Sequence, residues 1–93
     1  MMIPDCIRAV SNAFGVGVAD LKRRDRTRSV SHARFAVMLI ARKAGFPTDR
    51  IGRALGMDRS VVTYGSRRAG EFAAEDEQYA LNLAAAMVEV GLA

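Results

Sequence analysis

The residues best suited to chemistry in this chain form a recognition set, and no catalytic constellation stands beside them. Asp58, Arg59, Ser60, Val61 and Thr63 follow directly on Leu55-Gly56-Met57. An arginine can donate two bonds to guanine, serine and threonine hydroxyls can bond phosphates or base edges, and valine methyls can meet a thymine methyl. The Asp58 carboxylate could accept from a cytosine amine, although a helix start at this position would favour aspartate as a cap in any case. Catalysis has little to work with. His32 is the single histidine and Cys6 the single cysteine, so neither a dyad nor a metal set can be assembled, and no cofactor is expected. A lone cysteine, read as a partly buried core filler, also excludes an internal disulfide and fits a reducing cytoplasm.

Charge surrounds the recognition set. Residues 22–68 hold thirteen of the fourteen Lys and Arg against Asp25, Asp49 and Asp58, a net of +10, whereas Glu71, Glu75, Asp76, Glu77 and Glu89 make the end of the chain acidic. A phosphate backbone would meet the cationic centre and leave the acidic end facing away. With 93 residues and 51% hydrophobic composition, the chain is expected to be one small folded domain over residues 1–93. Its longest uninterrupted apolar run, residues 35–41, is far too short to span a membrane, and no secretion signal is evident.

These side chains must be held by helices, because no segment alternates well enough for a strand. Pro4 and Asp5 suit the first turn of a helix bearing Ile7, Val10, Ala13 and Phe14, closed by Gly15 and Gly17. Val18-Ala19-Asp20-Leu21 reads as one short turn before a polar basic arm. Ser29 or Ser31 is placed to cap a wide-faced central helix carrying Phe35, Val37, Met38, Leu39, Ile40 and Ala41, which stops before Pro47. Thr48 is expected to cap the next helix, with Ile51, Ala54 and Leu55 inward. Asp58 is expected to cap another, to about Ala73, through the amide of Ser60 or Val61. Asp76 or Glu75 opens a last helix with Ala80, Leu83, Ala84, Met87 and Val90 on its core face. The fold class is therefore all-α, five to six helices around a helix-turn-helix at about 48–69.

The turn itself has a grammar: a glycine to reverse the backbone, an apolar plug and a branched anchor, supplied by Gly56, Met57 and Val62. With Val62 buried, Gly65, Ser66 and Ala69 turn inward with it. Arg59, Ser60, Thr63, Tyr64 and Arg67 then face out, with Val61 at the margin. Tyr64 can reach phosphate or pack on the preceding helix. Arg67 and Arg68 could contact phosphate or complement a helix dipole.

Several blocks together carry a more specific likeness. Val18-Ala19-Asp20-Leu21, the basic run ending Arg26-Thr27-Arg28-Ser29-Val30, Arg34 with Met38-Leu39, and Ile51-Gly52 with Leu55-Gly56 and Asp58 resemble the C-terminal DNA-binding domain of the bacterial replication initiator DnaA. The likeness spans nearly the whole chain. It implies that Arg26 enters the minor groove, that Arg34 and Arg42 contact backbone phosphate, and that Asp58, Arg59, Ser60 and Val61 stand where the family reads bases with Asp-His-Thr-Thr. Arg24 and Arg28, on the basic arm, are candidate phosphate contacts with Tyr64 and Arg67. The departures are specific. The family has Gly-Gly-Arg before the aspartate and this chain only Gly56-Met57; Arg59 replaces histidine, Val61 threonine, and Phe35 a glutamine. Fold and docking mode are expected to survive these changes, while recognition of the family's nonameric box is left open.

No glycine-rich loop ending in Gly-Lys-Thr or Gly-Lys-Ser occurs, so the initiator's ATPase module has no counterpart in these residues. The expected function is sequence-specific binding of double-stranded DNA in replication or transcription regulation, with a replication-initiator partner or competitor open. A competing reading comes from the last helix, whose second apolar set, Leu81, Ala85, Val88 and Leu92, suits a protein-interaction or homodimer module unless that helix is simply central. RNA is less favoured, since few aromatics are placed to stack unpaired bases.

Overall fold

The computed structural model describes residues 1–23 and 27–92. It contains six helices: α1 (Ile3–Phe14), α2 (Val18–Lys22), α3 (Arg28–Lys43), α4 (Thr48–Leu55), α5 (Arg59–Glu75) and α6 (Glu77–Glu89), with no strand among the described residues. The all-α expectation holds, and the wide apolar surface read on the third helix has its consequence. Ala33, Ala36, Val37, Met38, Ile40 and Ala41 of α3 are all at 0% exposure, and α3 touches α1, α2, α4 and α5.

Helix ends depart from the sequence reading in an instructive way. Asp76 does cap α6, its carboxylate accepting from the Tyr79 amide at 3.2 Å. Three other expected caps are corrected. The N-cap of α3 is Thr27, ahead of both serines. Thr48 is the first helical residue of α4 behind Pro47, whose fixed φ of −69° already suits that entry. Asp58 occupies the N-cap of α5 but makes no side-chain capping bond; its carbonyl accepts from Val61 at 3.0 Å instead.

The corner between α4 and α5 rests on two glycines. Gly56 takes the left-handed conformation, φ 68°, that ends α4. Gly52 sits where a Cβ would collide with the carbonyl oxygen of Met57, so the turn can fold back against α4 only because that atom is missing. Met57 then packs half-buried on the core while Val62 is fully buried.

The last helix is peripheral. Its core face is Tyr79, Leu83 and Ala86, flanked by half-buried Ala80, Met87 and Val90, so the expected face is rotated and Ala84 lies exposed. Tyr79 owes its inward place to aromatic contacts with Phe14 and Phe72, at 5.1 and 5.5 Å between ring centroids, and its hydroxyl donates to the His32 carbonyl at 2.6 Å. Cys6 proves fully buried, and desolvation, with the Asp5 charge beside it, pushes its thiol pKa up, so it behaves as an inert filler.

Where α5 crosses α3, a Cβ on Gly65 would collide with the Met38 sulfur and stand 2.7 Å from Phe35 Cδ1. Gly70 lies further along the same helix, with nothing within 4 Å of the equivalent point. Gly65→Ala is therefore expected to destabilise the fold by about 1–3 kcal/mol through overpacking. Gly70→Ala is expected to stabilise it by roughly 0.5–1 kcal/mol through helix propensity. Urea denaturation of the two variants checks the opposite signs.

Candidate nucleic-acid interface

Because Val62, Gly65 and Ala69 seat α5 on α3, the residues between them are turned to solvent. Arg59, Ser60, Thr63, Tyr64 and Arg67 are exposed and Val61 is half-buried, as the periodicity predicts; Ser66 sits at the rim rather than inside. Asp58 is exposed and free of a capping bond, which leaves its carboxylate available as an acceptor. Thr63 Oγ1 lies 3.4 Å from the Arg59 carbonyl.

Tyr64 resolves into both of its readings at once. Its ring meets Phe35 of α3 edge-on at 5.9 Å and the Arg67 guanidinium at 5.8 Å, yet the residue is 49% exposed. Such packing holds the ring at the surface in one orientation. Next to it an open groove of about 430 Å³ runs between α3 and α5, lined by Leu39, Arg42, Lys43, Thr63, Ser66 and Arg67. Arg42 and Arg67, 25 residues apart in sequence, thus share one cleft, and Lys43, which sequence reasoning passed over, joins them.

Other basic residues are placed differently. Arg28 is exposed at the start of α3. Arg24 and Arg26 lie outside the described residues. Arg34 is only 3% exposed, unlike the surface position that a phosphate contact requires. Its Nε donates to the Leu21 carbonyl at 2.9 Å, and its Nη2 to the carbonyls of Asp20 at 3.2 Å and of Arg23. Arg67 and Arg68 do not neutralise a helix end, because α5 continues to Glu75 and has no basic residue in its last turn; Arg68 instead pairs with Glu71 and lies 4.4 Å over the Phe72 ring. Two exposed arginines on α4 were also missed. Arg50 stands over Phe46 at 5.2 Å and Arg53 is 3.5 Å from Asp49; their three-residue spacing on a helix was the available signal.

His32 is no free surface group. Its ring lies 4.1 Å from Phe72 and 6.3 Å from Phe35. Burial lowers its pKa from the ordinary value, and the charges of Arg28 and Arg68 lower it further. Among the described residues no group of three or more His, Cys, Asp or Glu could hold a metal ion, and no helix is long and apolar enough to cross a membrane.

A reversal at Gly56, a plugged corner and a seated second helix with its outer face open define a helix-turn-helix of the nucleic-acid-binding kind. A family described as the bacterial DnaA protein helix-turn-helix matches residues 3–69, and the chain belongs to that family. Over 81 residues it is 31% identical to the chromosomal replication initiator protein DnaA of Aliarcobacter butzleri (strain RM4018), an alignment covering 85% of this chain and 18% of that protein. Membership implies binding of double-stranded DNA. The match ends at Ala69, so the end of α5 and all of α6 lie beyond it.

Protonating His32 costs more in the folded chain than in the unfolded one. With its folded pKa lowered, the unfolded chain takes up the proton first, so stability is complete above about pH 6.5 and falls as the pH drops from there towards the folded pKa. An NMR titration is expected to place the His32 midpoint below that of a histidine in a short peptide. His32→Gln is expected to lose this part of the pH dependence of urea unfolding between about pH 7.5 and 5.

Proposed function

We propose that this protein binds duplex DNA sequence-specifically, with the N-terminal half of α5 in the major groove, and acts without ATPase activity. The observation that carries the reading is continuity: the exposed face of α5 runs directly into the cleft lined by Arg42, Lys43 and Arg67. A helix seated in the major groove brings the flanking backbone against such a shelf. Base contacts fall to Asp58, Arg59, Ser60, Val61 and Thr63. Arg59 donates to guanine, Asp58 accepts from a cytosine amine, and Val61 offers methyls to thymine. Phosphate contacts fall to Arg28, Arg42, Tyr64 and Arg67. Arg24 on the backbone keeps the part read from the basic arm, and Arg26 in the minor groove the part that the resemblance implies.

The base-reading set differs from the family's at the second, third and fourth positions, histidine to Arg59, threonine to Ser60 and threonine to Val61. An arginine at the second position favours a guanine at the base it reads, so the preferred site is expected to depart from the family's box. A module of this kind can mark a site, compete with a replication initiator for its boxes, or regulate transcription. The exposed stripe on α6, Leu81 at 57% and Val88 at 64% with Ala85 between them, favours a second reading as a homodimer or interaction module. Sedimentation with and without duplex separates the two: a tight dimer indifferent to DNA at low salt would replace the first reading.

Selection from a random duplex pool is expected to yield one consensus. On it, Arg59→Ala is expected to cost about 1–3 kcal/mol and relax preference at a single position. Arg42→Ala is expected to weaken all duplexes alike and to reduce the salt slope by about one. If Arg59→Ala kept the wild-type ratio of selected to random binding, the base-reading face would be misassigned.

A further inference from the structure

Arg34 is the one charged side chain among the described residues that the fold buries. Removing a guanidinium from water is costly unless acceptors replace the water, and here the acceptors are the carbonyls of Asp20, Leu21 and Arg23. Those three atoms are a set. They belong to the C-terminal end of α2, a helix of five residues, where carbonyls run short of partners further along the helix; of the three, that of Asp20 also accepts from the Arg23 amide at 3.2 Å. So short a helix cannot persist on its own hydrogen bonds. It is held on the hydrophobic side by Leu21, at 0% exposure, and on the polar side by a guanidinium that comes from α3, eleven to fourteen positions away.

Lys22 and Arg23 stand at that capped end, and Arg28 begins α3. We propose that Arg34 is a positioning residue for DNA binding: it acts through the end of α2 that it caps, holding Lys22 and Arg23 in place beside Arg28 at the start of α3, and makes no phosphate contact of its own. This rests on the DNA-binding reading above and departs from what family likeness implies for the same position. The fork geometry is essential, because one planar head reaches three carbonyls at once, whereas a lysine ammonium on a flexible stem presents only a point charge.

Arg34→Lys and Arg34→Gln, measured against the selected duplex at a temperature where circular dichroism shows each fully folded, are expected to lose affinity alike, by about tenfold or more. Arg8→Lys, at an exposed position on α1 outside the proposed interface, is expected to stay within roughly twofold of wild type. Two results would overturn the proposal: Arg34→Lys binding like wild type while Arg34→Gln fails, which marks a phosphate contact, or both folded variants binding like wild type, which marks a purely structural role. A measurement on the unmodified chain covers the case of variants that do not fold. The Arg34 Nε–H resonance is expected to be protected from exchange and to keep its position when duplex is added, while that of Arg42 moves. Movement of Arg34 as large as that of Arg42 would refute positioning. Failure of any arginine to respond to duplex would instead sink the DNA-binding reading.

Discussion

Everything that faces outward from α5 depends on how closely that helix lies against α3. The contact is made over a position with no side chain, Gly65, set on Met38 and Phe35, with Val62 and Ala69 sealing it one turn to either side. Close-packed interiors do not deform by degrees, so a contact of this kind sets the rotation of α5 about its own axis as well as its distance from α3. That rotation decides which of its residues meet solvent. It also places Thr63, Ser66 and Arg67 opposite Arg42 and Lys43 across one cleft. Seating and recognition are two faces of a single packing event.

Electrostatics is arranged around that event with little internal neutralisation. The ion pairs among the described residues, Arg8 with Asp5, Arg23 with Asp20, Arg53 with Asp49 and Arg68 with Glu71, all join neighbours one turn apart. Such pairs contribute little to stability, generally under about 1 kcal/mol each. The cleft between α3 and α5 is different, for its cations face one another without an intervening acid among the residues that line it. Mutual repulsion there is tolerated in the free protein and is relieved when an anion enters. Arg34, the one buried cation among the described residues, donates to carbonyl dipoles and so serves the fold's interior connections.

An aromatic series ties the far side of the domain to this face. Phe14, Tyr79, Phe72, His32, Phe35 and Tyr64 follow one another with centroid separations between 4.1 and 6.3 Å, passing from α1 and α6 to the exposed edge of α5. None of the six is more than about half exposed. Their role is positional: flat rings with few rotatable bonds keep α6 and the end of α5 in place at modest entropic cost. Phe35, where the resemblance expects a glutamine, is thereby used as packing for Tyr64.

Much of this was legible in the chain before any coordinates. The 3.6-residue apolar period located the central helix and the buried side of α5, because burial of one stripe is what makes such a helix persist. Gly56, Met57 and Val62 announced the corner, and segregation of charge announced an anionic partner. What composition and spacing could not convey was which polar side chains the packing would consume. Thr48 and Asp58 have the right chemistry for capping, yet of these and Asp76 it is Asp76 that caps through its side chain; whether a cap forms depends on the angle at which the chain enters the helix. Arg34 reads as a surface cation until α2 is seen folded against α3, bringing three backbone carbonyls to it. The cleft of Arg42, Lys43 and Arg67 likewise joins residues from two helices. Sequence by itself determined the helices, the corner and the sign of the field, since these follow from local periodicity and charge. Tertiary structure alone decided which cations face outward and which is drawn inside, since that depends on contacts between segments distant along the chain.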